Sequence, residues 1–125
     1  MARILLAEDE EASRALVIRA LREDGHHVVG VADGGEALER LARDNGRFDL
    51  LLTDIKMPVM DGIALAMATA RDHPDVIILL MTAYADQRER ADGLDTLIHD
   101  VITKPFSADE IRAAVNEALV SAARR

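Results

Sequence analysis

Short apolar runs that alternate with amphipathic stretches constrain the fold of this chain more than any other feature. A clear example is the run from Val76 to Met81, in which every residue is apolar. A second, shorter run extends from Leu50 to Leu52. Such a run is typical of a strand that is buried on both faces, as the strands of a parallel sheet are. Parallel strands also need crossover connections, which are usually helices. The chain is therefore predicted to be an α/β protein.

Four strands are predicted at residues 3–7, 28–31, 48–53 and 76–81, and the stretch 97–102 contains a fifth, which His99 and Asp100 make irregular. Each is followed by a stretch with helical periodicity, although the fourth such stretch, residues 86–94, has few apolar residues and weak support. Capping boxes are predicted for Asp33 with Glu36 and for Ser107 with Glu110, and residues 122–125 are expected to fray. Strict alternation of strand and helix predicts a doubly wound, five-stranded parallel sheet with five helices.

Composition narrows the class of protein further. The 125 residues suit one domain, residues 1–125, and we expect no linker, repeat or further domain. A net charge of −8 and only three aromatic residues argue against partners such as nucleic acid or a membrane surface. The lack of cysteine excludes disulfides and thiolate metal ligands, and it suits a cytoplasmic location. No apolar run approaches the ~20 residues of a membrane span, and no signal peptide is recognisable.

The residues with the strongest chemical signal stand where predicted strands end. Glu8 and Asp9 follow the first strand, Asp54 the third, Thr82 the fourth and Lys104 the fifth. Ligands of open parallel sheets bind at the carboxyl ends of the strands, so the fold should bring these residues together. Three carboxylates without histidine or cysteine favour Mg²⁺. A lysine and a hydroxyl group beside them suit a phosphoryl group, which the Asp54 carboxylate could attack as a nucleophile.

In sequence order, these residues and their surroundings resemble the receiver domain of two-component response regulators. The matching pieces are the acidic pair, Asp54, the loop 57–62 with the sequence MPVMDG, the Thr82–Ala83 pair and the Lys104–Pro105–Phe106 segment. The pieces follow the order and spacing of the family, and the match as a whole covers the chain. The resemblance implies a flavodoxin-like sheet with strand order 2-1-3-4-5, in a stand-alone receiver without an output domain.

The resemblance also implies a role for each residue of the site. Asp54 would accept a phosphoryl group from a histidine kinase or a histidine phosphotransfer protein. Asp9, Asp54 and the backbone carbonyl of Lys56 would hold Mg²⁺, and Glu8 would reach the ion through a water molecule. Lys104 would contact the phosphoryl oxygens.

Two further elements of the family pattern concern the switch. Thr82, which Ala83 follows, would turn toward the phosphoryl group and move the start of the fourth helix with it. The bond between Lys104 and Pro105 is expected to be cis.

The chain departs from the family at the position three residues before the lysine. This position is usually aromatic in the family, and here it is Val101, so coupling by rotation of an aromatic ring is in doubt. Because the fourth helix has few apolar residues, we expect residues 86–96 to be the most mobile ordered part of the chain. Tyr84 and Lys56 could modulate the access of water to the phosphoryl group.

The expected function is that of a phosphorylation-controlled binding module, not of an enzyme acting on other substrates. The whole chain also resembles the short receivers of alphaproteobacterial cell-cycle phosphorelays, some of which deliver substrates to an ATP-dependent protease. The segments 8–9, 52–55 and 84–88 carry this likeness. A flagellar-motor or phosphotransfer receiver is the alternative within the class. In another class, an Mg²⁺-dependent phosphohydrolase could use Asp54 as nucleophile, but such enzymes need a second acid where this chain has Lys56.

Overall fold

A computed structural model describes residues 1–123 of the chain, apart from the side chain of Ala85. Strands and helices alternate strictly along it. They are β1 (Arg3–Ala7), α1 (Glu11–Glu23), β2 (His27–Val31), α2 (Gly34–Arg43), β3 (Leu50–Asp54), α3 (Gly62–Asp72), β4 (Ile77–Thr82), α4 (Ala85–Ala91), β5 (Asp100–Thr103) and α5 (Ala108–Ala123). A single 3₁₀ turn, Asp92–Leu94, follows α4.

The five strands form one parallel sheet in the order β2-β1-β3-β4-β5, which confirms the predicted doubly wound, flavodoxin-like fold. Both faces of the sheet are covered. Alternate residues of β1 point to opposite faces, so that Ile4 packs beneath α1 and α5 while Leu5 packs beneath α2 and α3. Burial of such a leucine or isoleucine stabilises the fold by about 1.5–3 kcal/mol relative to an exposed position.

The apolar runs of the sequence form the centre of this sheet. The side chains of Leu50, Leu51 and Leu52 in β3 and of Leu79 and Leu80 in β4 are completely shielded from solvent. This burial on both faces explains why polar residues first appear where the strands end.

Two helices begin with the predicted capping residues. Ser107 and Glu110 form a reciprocal box, in which each side chain accepts a hydrogen bond from the backbone N–H of the other. Asp33 accepts from the Glu36 N–H, but the Glu36 carboxylate accepts from the Ala32 N–H instead of that of Asp33. The second box is therefore displaced by one residue.

The fifth strand occupies only the second half of the stretch that was expected to contain it, since β5 begins at Asp100. The N–H groups of Leu97 and Ile98 both donate to the carbonyl oxygen of Leu94, so these residues close the turn after α4 instead of pairing with β4. At the edge of the sheet, none of the β5 residues is fully buried.

The last helix, α5, ends at Ala123. The expected fraying stays a prediction for residues 122 and 123, and residues 124 and 125 lie outside the described part of the chain. Among residues 1–123, no helix combines the length and the apolar character needed to cross a membrane.

Candidate functional site

Three carboxylates from two neighbouring strands meet at the carboxyl edge of the sheet. The register pairs Ala7 with Thr53, which places the acidic pair after β1 next to Asp54 at the end of β3. Glu8, Asp9 and Asp54 each offer an oxygen within 4.8 Å of the others. The fold therefore brings together the three acids that the sequence singled out as candidate metal ligands.

Lys104 joins this group from the loop after β5. Its backbone N–H donates to the carbonyl oxygen of Thr82, which aligns the loop with the end of β4. Its Nζ lies 2.6 Å from Glu8 Oε1 and 3.0 Å from Asp54 Oδ2, so one ammonium group bridges both carboxylates. The bond from Lys104 to Pro105 is cis.

Glu8 is the most deeply placed of the three acids, with a relative exposure of 1%. Burial raises the pKa of Glu8 to about 7; the hydrogen bond from Lys104 opposes this effect, and the nearby Asp54 adds to it. Burial by itself would lower the pKa of Lys104, but its hydrogen bonds to Glu8 and Asp54 raise it, so the ammonium group stays charged.

One oxygen of this cluster has no partner. Glu8 Oε2 is buried, and within residues 1–123 it accepts no hydrogen bond. An unsatisfied buried carboxylate oxygen is costly, and a hard divalent cation would compensate for it. Three carboxylates without nitrogen or sulfur ligands are also the donor set that Mg²⁺ prefers. The residues present therefore fit a magnesium ion.

The backbone behind Asp54 is held by a glycine. The Gly62 N–H donates to the carbonyl oxygen of Ile55 at 2.7 Å, so the loop 57–62 folds back onto the end of β3. A Cβ atom at Gly62 would lie 2.1 Å from the carbonyl oxygen of Asp54, which is far inside any allowed contact. The loop can close on the end of β3 only because this residue has no side chain.

We expect Gly62→Ala to destabilise the fold by about 1–3 kcal/mol and to slow phosphorylation, because the backbone of Asp54 must move to admit the methyl group. Urea unfolding and the rate of labelling by acetyl phosphate measure the two effects. Gly93→Ala is the matched control, since a Cβ there would meet nothing within 4 Å. Equal effects of the two substitutions would contradict this account of Gly62.

Thr82, at the end of β4, is buried, and its hydroxyl group faces the backbone of Tyr84. The hydroxyl oxygen accepts from the Tyr84 N–H at 3.1 Å and lies 3.4 Å from the Tyr84 carbonyl oxygen, to which it can donate. Ala83, between these residues, is exposed. A phosphoryl group on Asp54 would have to compete with Tyr84 for this hydroxyl group.

Lys56 and Tyr84 meet across the mouth of the site. They come from the loops after the adjacent strands β3 and β4, and the Lys56 ammonium group lies 5.2 Å from the centre of the Tyr84 ring. This is the geometry of a cation–π contact. The tyrosine is half-exposed, so the pair is accessible from solvent.

Val101 lies half-buried beside the apolar residues under α4. Its backbone is bonded to this helix. Arg88 of α4 donates to the carbonyl oxygen of Val101 and to Thr103 Oγ1, both at 3.0 Å. These bonds tie α4 to β5, one residue before Lys104. The expected mobility of residues 86–96 stays a prediction.

A second arginine holds α4 from the other side. Arg90 lies 2.7 Å from Asp61 Oδ2, while the other carboxylate oxygen of Asp61 caps α3 through the Ala64 N–H. Burial opposes ionisation of Asp61, but the Ala64 N–H and Arg90 together lower its pKa. The sequence did not predict the contacts of either arginine, because their acceptors come from distant segments.

A doubly wound parallel sheet with an acidic cluster and a lysine at its carboxyl edge defines a receiver domain of the kind used in two-component signalling. The sequence profile of the response regulator receiver domain matches residues 4–116, and the chain belongs to this family.

Three relatives show how far the likeness extends. The chain is 38% identical to the response regulator receiver protein CpdR of Brucella abortus, over 98% of this chain and 100% of that protein. It is 34% identical to the sensor kinase CckA of the same organism, over 94% of this chain but 12% of the kinase. The response regulator TrrA of Thermotoga maritima, solved in complex with Mg²⁺ and BeF, superimposes with a TM-score of 0.83 at 32% identity, covering 95% of this chain and 100% of that one.

Proposed function

We propose that Asp54 accepts a phosphoryl group from the phosphohistidine of a histidine kinase or phosphotransfer protein, and that phosphorylation changes the binding of the chain to a partner protein. The observation that carries this proposal is the bridge from Lys104 Nζ to both Glu8 and Asp54, beside the unpartnered Glu8 Oε2. This arrangement offers a nucleophile, a place for a cation and a positive charge for the phosphoryl oxygens. The similarity to part of a sensor kinase supports a place in a phosphorelay.

The chemistry requires one bond to form and one to break. A carboxylate oxygen of Asp54 attacks phosphorus and forms the acyl phosphate, while the bond from phosphorus to the imidazole nitrogen of the donor breaks. The electron pair stays on that nitrogen, which takes up a proton from solvent to give neutral imidazole. The ammonium group of Lys104, which contacts Asp54 in the free chain, would then contact a phosphoryl oxygen. Attack of water on phosphorus releases inorganic phosphate and restores the carboxylate.

Asp9, Asp54 and the backbone carbonyl of Lys56 would hold Mg²⁺, with Glu8 bound through water. The ion, when bound, neutralises negative charge on the phosphoryl oxygens. Two observations support this role: the convergence of three carboxylates within 4.8 Å and the unpartnered oxygen of Glu8. In addition, the related response regulator TrrA was solved in complex with Mg²⁺.

A phosphohydrolase that uses the same aspartate is the competing function. Such an enzyme protonates the leaving group with an acid two residues after the nucleophile, and here that residue is Lys56. We therefore infer that the catalysis of this chain is limited to its own phosphorylation and dephosphorylation. Incubation with acetyl phosphate and Mg²⁺ should add one phosphoryl group per chain by intact mass, with no multiple turnover of p-nitrophenyl phosphate. Rapid turnover would support the phosphohydrolase instead.

The output is proposed to be a protein contact in the cytoplasm. The narrower proposal is that the chain acts as an adaptor for an ATP-dependent protease, and it rests on the resemblance of the segments 8–9, 52–55 and 84–88 to cell-cycle receivers. A pull-down with the wild type and Asp54→Asn, each with and without acetyl phosphate, tests both the protein contact and the adaptor role. Capture of the protease in one phosphorylation state only would support the adaptor, and capture of other proteins alone would refute it.

Tyr84 should slow the loss of the phosphoryl group. With the ring and Lys56 in contact at the mouth of the site, we expect Tyr84→Ala to accelerate hydrolysis of the acyl phosphate about two- to tenfold, because water reaches phosphorus more easily. Tyr84→Phe keeps the ring and should decay like the wild type, as should Val120→Ala, which shortens an exposed side chain on α5. Decay of the isolated phosphoprotein, followed by phosphate release, measures the rates; an unchanged rate in Tyr84→Ala would exclude this role.

A further inference from the structure

A cleft in which four of the six lining residues are arginines lies at the end of the sheet opposite Asp54. The cleft, which we call the arginine cleft, has a volume of about 300 Å³ and is lined by Arg3, Arg40, Arg43, Asp44, Asn45 and Arg47. A turn with two consecutive residues of positive φ, Asn45 and Gly46, reverses the chain after α2. Residues from both sides of this turn and from the start of β1 therefore face one space.

The charge of the arginine cleft is not balanced by its own residues. Four guanidinium groups line it, and Asp44 is the one carboxylate among the lining residues. Arg3 and Arg40 both donate to the same oxygen, Asp44 Oδ2, at 3.0 and 3.1 Å. An excess of positive charge therefore converges on a small volume in a chain whose net charge is −8.

Two guanidinium groups of the arginine cleft are free to bind a ligand. Among the arginines of residues 1–123, Arg19, Arg43 and Arg47 make no side-chain hydrogen bond or ion pair with another described residue. The remaining arginines of residues 1–123 all have such a partner. Arg43 and Arg47 are also exposed, so no internal contact has to break before they engage an anion.

Arg3 is fixed in place before any ligand arrives. Its guanidinium carbon lies 4.8 Å from the centre of the buried Phe48 ring, and its backbone N–H donates to Asp49 Oδ2 at 2.7 Å. With the bond to Asp44, these contacts hold one wall of the arginine cleft rigid. A preorganised guanidinium group loses less entropy when it binds an anion.

We propose that the arginine cleft binds a chain of two or more linked phosphate groups. Arginine forks match phosphate oxygens in bidentate geometry, and several of them around one cleft require several negative charges close together. The lining contains no apolar or aromatic side chain, and Phe48 is covered by Arg3, so the cleft offers no exposed ring on which a nucleoside base could stack. Inorganic polyphosphate and the phosphate tail of a nucleotide share the chemistry that the cleft selects.

The ligand would not obstruct phosphotransfer. Arg3 begins β1 and Glu8 follows its end, and a strand rises about 3.3 Å per residue, so the two sites lie roughly 17 Å apart. Both can be occupied at once. Asp54→Asn should therefore keep the affinity of the wild type for phosphate chains, which makes this proposal independent of the proposed function.

Calorimetric titration of the whole chain with sodium triphosphate, in Mg²⁺-free buffer at low salt, tests the proposal. We expect saturable binding that weakens as salt rises, and a loss of about tenfold or more in the double variant Arg43→Gln/Arg47→Gln. ATP as a second probe separates the two sources of phosphate. Equal affinities identify the phosphate chain alone as the ligand, and tighter binding of ATP identifies a nucleotide.

The matched control is Arg19→Gln/Arg71→Gln. It also removes two positive charges, but from exposed positions outside the arginine cleft. Its affinity for triphosphate should stay within about twofold of the wild type. An equal loss in both double variants would reduce the effect to net charge and overturn the proposal, as would the absence of binding by the wild type. Tighter binding of hexaglutamate than of triphosphate would overturn it in favour of an acidic peptide site.

Discussion

Asp54→Asn is expected to abolish labelling by acetyl phosphate, the largest effect predicted for any single substitution in this chain. The amide keeps the shape of the side chain, but its oxygen cannot form a stable acyl phosphate. The amide also carries no negative charge for Mg²⁺ or for Lys104, which lies 3.0 Å from the native carboxylate. Intact-mass spectrometry after incubation with acetyl phosphate and Mg²⁺ measures the result, and a retained mass increase would place the acceptor elsewhere.

Variants of the neighbouring acids separate the nucleophile from the metal site. Asp9→Asn keeps Asp54 but weakens Mg²⁺ binding, so labelling should recover when the Mg²⁺ concentration is raised, whereas Asp54→Asn should stay unlabelled at every concentration. Asp72→Asn, which removes an exposed carboxylate paired with Arg71, is the control and should be labelled like the wild type. Recovery of Asp54→Asn at high Mg²⁺ would contradict the assignment of the nucleophile.

Lys104→Met should lower the rate of phosphorylation about 10²- to 10³-fold while leaving Mg²⁺ binding intact. The ammonium group bridges Glu8 and Asp54 in the free chain and is the cation of this site that can meet the developing charge on the phosphoryl oxygens. The methionine side chain is of similar length but uncharged. Loss of the ammonium group leaves the negative charge of the carboxylates uncompensated, so the binding of Mg²⁺ should be preserved or become tighter.

Two measurements on the same sample distinguish this effect from simple misfolding. Calorimetry with Mg²⁺ shows whether the carboxylates still converge, and the labelling rate shows what the ammonium group contributes. Arg71→Gln is the control for removal of a positive charge, because its only close partner among the described residues is Asp72. Loss of both Mg²⁺ binding and labelling in Lys104→Met would indicate a structural role for the lysine instead.

The sequence predicted much of the fold because burial on both faces leaves a signal in each strand. The runs around Leu51 and Leu80 have no polar residues, and the polar residues that follow them stand at the edge where ligands collect. The weaker signal of β5 follows from its edge position, where half-burial permits Asp100 in the strand.

Contacts between distant segments could not be predicted in the same way. The bonds from Arg88 to Val101 and Thr103, and the pair of Arg90 with Asp61, join segments whose only link is their position around the edge of the sheet. From the sequence, α4 was a helix with little to bury. In the structure, Arg88 joins this helix to β5 and Arg90 joins it to Asp61.

The alternation of apolar strands with helices, and the order of Glu8, Asp9, Asp54, Thr82 and Lys104 along the chain, determined the class of fold and the composition of the acceptor site. The class of fold follows from the apolar runs, which record local burial in the sequence itself. The composition of the site follows from the rule that parallel strands end at the same edge of the sheet. Only the tertiary structure decided where long side chains reach. It placed Lys104 on two carboxylates, tied Arg88 to β5 and gathered four arginines around one cleft, because the direction of a flexible side chain depends on partners that are far away in the sequence.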